Sequence, residues 1–331
     1  SVSNDIHSLQ GATNNENVET LMQMINLSFT DVKKDEGFLQ LIAQYLKGKM
    51  ATKANDPDAV MEDSVAYYTH SKKLEHLSPD ASDFDKIDYN RATEIYKQLF
   101  SNAGEFTFTF VGSFDEAQIR TLIEKYIASL PASKAKSDLT DTRYYTNGKV
   151  QKTFKFKMAT PQDKTIDLYR SDKVEYNLAN ALNARALGQY LGNKMFEIIR
   201  EKESAVYTPM PSAELESDLT GHYFKIECEL ATNPEKTDIA NKLAKEIIFD
   251  AQTKITNEDV ARVKEAILKS HQDAVKRNGY WLSVLSDYAI YGVDKANSFD
   301  AVMKAMSPKT LGEVAKQVLK TGNHVQVIMK A

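Results

Sequence analysis

The feature that most constrains the fold of this chain is an internal repeat. The segment GATNNENVETLMQMI (11–25) is similar to LATNPEKTDIANKLA (230–244), and both contain Ala-Thr-Asn. The segment IYKQLFSNAGEFTFTF (95–110) is similar to VAKQVLKTGNHVQVIM (314–329), and both contain Lys-Gln. Each pair is offset by 219 residues, from 12 to 231 and from 97 to 316. Two weak matches with one common offset predict that a single structural unit occurs twice.

The spacing of apolar residues predicts the elements of each copy. In the first copy we expect helices over 15–29, from 34, over 57–70 and over 88–100, then a strand over 105–112 and a helix over 114–130. In the second copy we expect strands over 147–158 and 163–171, a long helix over 177–200, strands over 204–215 and 221–230, helices that start near Pro234 and Thr256, two more over 280–292 and 307–320, and a last strand over 324–330.

The second copy has more sequence in front of it than the first. By the same offset, the first-copy counterparts of the elements over 147–215 would precede Ser1, so we expect the rear part of one unit and then a whole one. The polar, turn-rich segment 131–148 is the predicted linker. The chain is therefore predicted to be an α+β protein with a partial domain over 1–135 and a complete domain over 136–331.

Composition argues against several classes of protein. A net charge of −4 and a pI of about 5.9 argue against a protein built around nucleic-acid binding, which needs a basic surface. No apolar run is long enough to cross a bilayer, and the first residues have no apolar core of a signal peptide, so the compartment is left open. The only cysteine, Cys228, lies in an alternating stretch and is predicted to be a packed strand residue.

The histidines argue against a zinc site in this chain. The sequence contains six of them, His7, His70, His76, His222, His271 and His324. No two are four residues apart, so neither His-x-x-Glu-His nor His-Glu-x-x-His occurs. We therefore predict no metal site and no catalytic residue in this chain.

Two segments carry a resemblance to a known family. EFTFTFVGSFDEAQIRTLIEKYIASLP (105–131) is similar to the end-of-domain passage of the pitrilysin/insulinase (M16) zinc peptidases. IREKESAVYTP (199–209) is similar to the fourth domain of that family, in which an arginine is followed seven residues later by a tyrosine. The chain thus resembles the carboxy-terminal, non-catalytic half of an M16 peptidase. The resemblance implies two-layer units of helices on a sheet, of the LuxS/MPP-like metallohydrolase type.

The resemblance also implies a division of labour between two halves. In the family, the amino-terminal half binds zinc through His-x-x-Glu-His and a further glutamate, and the glutamate between the histidines activates the zinc-bound water. The carboxy-terminal half binds no zinc and contacts the peptide substrate. We therefore expect an amino-terminal zinc-bearing half as partner, in the same chain or as a separate subunit, and an inactive fragment in its absence.

Arg200 and Tyr207 are the predicted substrate-binding residues. The resemblance implies that both reach the substrate near the scissile bond. A guanidinium offers a rigid fork of donors to peptide carbonyls, and a phenol can donate to an oxygen on which charge develops. The alternative reading is that Arg200 only favours the negative end of a helix dipole, while Tyr207 fills a strand face.

Two other functions stay open at this point. One alternative is an inactive structural or assembly subunit of a larger complex that keeps the M16 fold without proteolysis. The other is an unrelated α+β binding domain, which predicts that a structure shows no duplicated topology.

Overall fold

The computed structural model describes residues 6–137, 144–206, 208–218 and 221–331. It divides into two compact units. The first comprises Ser1–Lys53, Pro79–Thr142 and Trp281–Ala289, and the second comprises Ala54–Ser78, Arg143–Tyr280 and Ile290–Ala331. Neither unit is continuous in sequence. The predicted boundary near residue 135, which concerns the two copies of the repeat, stays a prediction.

The elements combine eleven α-helices with five strands over the described ranges, so the prediction of an α+β protein is confirmed. The helices are α1 (Val18–Thr30), α2 (Glu36–Met50), α3 (Pro57–Thr69), α4 (Tyr89–Leu99), α5 (Glu116–Tyr126), α6 (Leu178–Met195), α7 (Thr237–Asp250), α8 (Asn257–Ala274), α9 (Asn278–Tyr291), α10 (Phe299–Ala305) and α11 (Pro308–Lys320). The strands are β1 (Lys149–Lys155), β2 (Asp163–Lys173), β3 (Met210–Asp218), β4 (Gly221–Thr232) and β5 (His324–Lys330).

The helices follow the repeat found in the sequence. A 3-10 turn at Asn15–Asn17 leads into α1, and a 3-10 turn at Pro234–Lys236 leads into α7, at the same offset of 219 residues. Helices α4 and α11 also begin at matching positions, Tyr89 and Pro308. The predicted start of α8 is confirmed in detail, because Thr256 and Asp259 form a reciprocal capping box there.

The core of the first unit lies between α1 and α5. Met22 is fully buried against Ile119 and Leu122, two apolar residues of α5. The ring of Phe29, at the end of α1, contacts Phe106 edge-on, with the ring centroids 4.9 Å apart.

The strand predicted over 105–112 does not form, and this prediction is wrong. Its alternation of Phe106, Phe108 and Phe110 is real, because these side chains pack on the apolar core of the first unit. Its counterpart in the second copy, β5, is hydrogen-bonded to a strand on each side. All five strands of the sheet belong to the second unit, so the described part of the first unit offers this segment no strand to pair with.

The second unit is built on one five-stranded sheet with the order β1-β5-β2-β4-β3. Strands β1 and β5 are parallel and the other neighbours are antiparallel. On one face of the sheet α6, α7 and α11 bury the main core, which includes Leu187, Leu191 and Ile226. Each such fully buried side chain contributes about 1.5–3 kcal/mol. On the other face α3 packs its Met61 against Val327 and Met329.

Helix α6 lies directly on β3 because Gly188 has no side chain. A Cβ on Gly188 would be 2.6 Å from the backbone nitrogen of Ala213, closer than Cβ atoms come in proteins. Gly192, one turn later, has Pro211 Cγ as its nearest neighbour at 4.0 Å. Of these two glycines, which lie four residues apart on one face of α6, only Gly188 is needed for the close approach of helix and sheet.

Gly188→Ala is expected to lower the free energy of unfolding by about 1–3 kcal/mol, because the new methyl group forces α6 away from β3. Gly192→Ala is the matched control. It is expected to leave stability unchanged or to raise it by up to about 1 kcal/mol, since alanine favours a helix more than glycine does. Urea denaturation followed by far-UV circular dichroism measures both. Equal effects of the two substitutions would contradict the close-packing explanation.

Candidate functional site

The candidate site begins where α6 changes its hydrogen bonding. The sequence predicts one helix over 177–200, but the α-helix ends at Met195 and a π-helical turn follows over Phe196–Lys202. In this turn a backbone hydrogen bond spans five residues instead of four: the N–H of Glu203 donates to the carbonyl of Ile198 at 3.2 Å. Single π-helical turns of this kind are frequent at functional sites.

The chain leaves this turn in a sharp reversal. Ser204 has a positive φ of 48°, and the N–H of Ala205 donates to the carbonyl of Ile199 at 2.9 Å. Ala205 and Val206 are buried, and Val206 forms an isolated bridge with Thr232 at the end of β4. The backbone around Arg200 is therefore held both by the turn and by the sheet.

Arg200 is half-buried in this turn. Its guanidinium carbon lies 4.5 Å from the centroid of the Phe196 ring, a cation–π distance that helps to orient the side chain. The exposed Lys202 pairs instead with Glu197 at 2.9 Å, and its hydrogen bond and charge hold the pKa of Glu197 below its ordinary value. Glu201 and Glu203 are exposed, as predicted.

The partner residue in the predicted pair, Tyr207, lies outside the described residues. The structure thus gives the position of Arg200 and of the flanking Val206, and the pairing of Arg200 with Tyr207 stays a prediction. The π-helical turn was not predicted, because the apolar spacing of residues 177–200 fits an α-helix throughout.

The residues needed for a zinc site do not come together in the described part of the chain. No group of three or more histidine, cysteine, aspartate or glutamate side chains there has metal-binding geometry. His324 Nε2 instead lies 2.6 Å from Asp167 Oδ1, and the His70 ring stacks on that of His76, so these histidines have structural neighbours. Within the same ranges, no helix is both long and apolar enough to cross a membrane.

Cys228 is buried between β4 and α6, as predicted. Burial raises the pKa of its thiol far above the ordinary value, with Asp167 as the next contribution. The Cys228 Sγ lies 3.5 Å from the sulfur of Met195. A buried, protonated thiol of this kind is a packing residue and not a nucleophile.

A second polar site, missed by the sequence analysis, lies on the sheet face under α3. It is a pocket of about 250 Å³, and Arg170 of β2 is its most buried charge, with only 8% of its surface exposed. The guanidinium carbon lies 4.1 Å from the ring centroid of Tyr145 and 4.7 Å from that of Tyr223. We name this cavity the Arg170 pocket.

Lys225 on β4 lies directly opposite Arg170 in the strand register. It forms ion pairs with the glutamates on this face of the sheet. Its ammonium contacts Glu214, Glu216 and Glu227 at 2.9, 3.0 and 3.3 Å. Burial by itself works against the charge of Lys225, but these three carboxylates outweigh it and raise the pKa of the lysine. The sequence contains one signal for this pocket. Arg170 is a charged residue within a strand, next to the apolar residues Ile166 and Leu168 on the same strand.

The family is decided by a match over residues 86–267, more than half of the chain, to the family model described as the peptidase M16 inactive domain. The chain belongs to this family. The resemblance of the sequence to the non-catalytic half of M16 zinc peptidases is therefore confirmed. The matched M16 region contains the π-helical turn with Arg200 and the strands that carry Arg170 and Lys225.

Similar proteins are longer than this M16 chain. A zinc protease PQQL-like protein of Arabidopsis thaliana is 20% identical over 285 residues, which are 80% of this chain and 29% of the relative. The periplasmic protease PqqL from Escherichia coli has a similar fold, with a TM-score of 0.81, 18% identity and coverage of 96% of this chain and 35% of that one. This chain therefore spans about a third of each.

The fold is also similar to the first half of the same E. coli protease. That structure has a TM-score of 0.70 at 15% identity, with 96% of this chain and 71% of that chain covered. The fold of this chain is therefore similar both to a part of the whole E. coli protease and to the structure of its first half.

Proposed function

We propose that this chain is the substrate-contacting half of a zinc-dependent peptidase whose zinc is bound by an amino-terminal half. The observation that carries the proposal is the membership in the M16 inactive-domain family, combined with a π-helical turn that fixes Arg200 at a helix end. The relatives, of which this chain covers about a third, support the existence of a further part that bears the metal.

The chemistry of Arg200 suits contact with an extended peptide. The planar fork of its guanidinium can donate to one or two peptide carbonyls. Tyr207 supplies a phenol hydroxyl that donates to the carbonyl oxygen on which negative charge develops during attack. Neither residue moves the proton of the attacking water, so both act by holding the substrate.

The described residues do not fit a zinc ion, and no step of the reaction is therefore assigned to a metal in this chain. Zinc chemistry, if present, is supplied by the partner half, where the family binds its metal. The role of this chain is to close the substrate-binding site and to orient the peptide.

Separation of the two halves tests the proposal. The full-length protein is expected to cleave a fluorogenic peptide, the 331-residue chain alone is expected to be inactive, and mixing it with the amino-terminal half is expected to restore cleavage. Elemental analysis is expected to find zinc in the amino-terminal half only. Absence of any cleavage by a zinc-loaded full-length protein would favour the inactive structural subunit instead.

A further inference from the structure

Arg170 is a buried cation without an anionic partner. Among the described residues, no carboxylate lies within salt-bridge distance of its guanidinium, and none of the guanidinium N–H groups has a hydrogen-bond acceptor, whereas the backbone N–H donates to the carbonyl of Asn323 at 3.3 Å. Glu216 and Asp172 act on it only from farther away. Buried charges in proteins are normally paired, because removing an ion from water costs several kcal/mol unless a partner compensates it.

The strand register explains why the nearby carboxylates do not serve Arg170. Arg170 and Lys225 are directly opposite on β2 and β4, an arrangement in which like charges repel. Glu214, Glu216 and Glu227 all contact Lys225. The rings of Tyr145 and Tyr223 stabilise Arg170 through their faces, but they leave the in-plane N–H donors of the guanidinium without acceptors.

Thr69, the last residue of α3, supplies a second unpaired donor to the lining of the Arg170 pocket. It is 7% exposed, and its hydroxyl has no hydrogen-bond partner in the described chain. The neighbouring His70 adds no charge at neutral pH, because burial, with smaller effects of His76 and Arg170, lowers its pKa to about 4. Since Lys225 is paired with three glutamates, Arg170 is the positive charge of this pocket that is available to an anion.

The rest of the pocket limits what that anion can be. Val65, Ile166 and Leu168 line it with apolar surface, and the exposed Glu62 lies at its wall. Together with the three glutamates on Lys225, Glu62 makes the surroundings acidic, which disfavours a divalent anion such as phosphate. A volume of about 250 Å³ suits a ligand of one or two amino-acid residues.

We propose that the Arg170 pocket binds a monocarboxylate attached to an apolar body, with the carboxylate on the guanidinium fork of Arg170 and near the Thr69 hydroxyl. A planar carboxylate matches the planar guanidinium and can accept two parallel N–H bonds. The apolar body lies on Ile166 and Leu168. This inference does not depend on the proposed peptidase function.

Calorimetric titration of the 331-residue chain with N-acetyl-leucine tests the proposal, with N-acetyl-leucinamide as the matched ligand that lacks the charge. The acid is expected to bind at millimolar concentration or below, and the amide at least about tenfold more weakly. Inorganic phosphate is expected not to compete. Equal binding of acid and amide, absence of binding by the acid, or preferential binding of phosphate would each overturn the proposal.

Variants assign the binding to the pocket. Arg170→Met and Arg170→Lys are both expected to weaken binding of the acid by about tenfold or more, since lysine keeps the charge but loses the fork. Glu62→Gln is expected to leave binding equal or tighter, and Arg185→Met, on the exposed side of α6, to leave it unchanged. Should Arg170→Met fail to fold, the proposal is still tested by Arg170→Lys and by the comparison of N-acetyl-leucine with N-acetyl-leucinamide on the wild-type chain. Full affinity in both Arg170 variants contradicts the proposal.

The carboxylate can come from a free small acid or from the end of a peptide. A pentapeptide that ends in leucine and the same peptide as its carboxy-terminal amide distinguish these sources. If the free-acid pentapeptide binds like N-acetyl-leucine, the pocket accepts peptide carboxy termini. If only N-acetyl-leucine binds, the pocket takes free small acids, and the carboxylate assignment holds in either case.

Discussion

Replacing Arg200 with alanine in the full-length protein is expected to lower kcat/KM for peptide cleavage by about 10²–10³-fold, the typical cost of losing one preorganised donor near a reacting carbonyl. In the proposed role of Arg200, the π-helical turn and the contact of its guanidinium with the Phe196 ring reduce the reorganisation of its donors on substrate binding. Tyr207→Phe, which removes only the hydroxyl, is expected to lower kcat/KM by a similar factor.

Lys202→Ala is the matched control for Arg200→Ala. Lys202 lies in the same turn, carries the same charge and is exposed, but it pairs with Glu197. Its removal is expected to change kcat/KM by less than about threefold, in line with the small value of surface ion pairs. Zinc content and circular dichroism show whether the variants keep their structure. If activity is unchanged by both Arg200→Ala and Tyr207→Phe, the assignment of these two residues is wrong.

Asp167→Ala is expected to destabilise the second unit by about 3–5 kcal/mol, because it breaks a buried pair at the centre of the sheet. Asp167 is 4% exposed, and its carboxylate accepts hydrogen bonds from His324 at 2.6 Å and from Gln326 at 3.2 Å. The His324 ring also stacks on Tyr169, with the centroids 4.1 Å apart, so the imidazole cannot turn to another partner without losing that contact.

Asp273→Ala is the control, because it removes an aspartate whose ion pair with Lys276 is exposed on both sides. It is expected to change the free energy of unfolding by less than about 0.5 kcal/mol. Urea denaturation followed by circular dichroism gives both values. Hydrogen exchange of the peptides that cover β2 and β5 locates the effect of Asp167→Ala. A loss for Asp167→Ala as small as that for Asp273→Ala would show that His324 needs no partner.

The elements of the repeat were predictable because their signals are local. The caps of α8 and the starts of α1 and α7 depend on residues within one turn, and the apolar spacing of α6 and α11 depends on one face of one helix. The strand over 105–112 was predicted from an equally clear local alternation. It failed because a strand needs a neighbour, and the sequence pattern of one segment contains no information about its partner.

The candidate site was predictable only in part, for the same reason. Arg200 and Tyr207 were predicted from their seven-residue spacing and its resemblance to the family pattern, and their role stays a prediction. The π-helical turn was missed, because the apolar spacing of residues 196–202 does not differ from that of an α-helix. Gly188 and Gly192 look alike in sequence, and only the position of β3 shows that Gly188 alone has no room for a side chain.

The sequence by itself determined that the chain is an α+β protein of M16 type, which residues form most of its helices and strands, and that the spacing of a His-x-x-Glu-His zinc motif is absent. These properties follow from residue order within short segments. Only the tertiary structure decided that Arg170 is buried and that, within the ranges the structure describes, no carboxylate pairs with it. The residues around Arg170 come from β2, β4 and α3 and include Tyr145. The pairing of Lys225 with three glutamates depends on strand register, because the register brings together residues that are far apart in the chain.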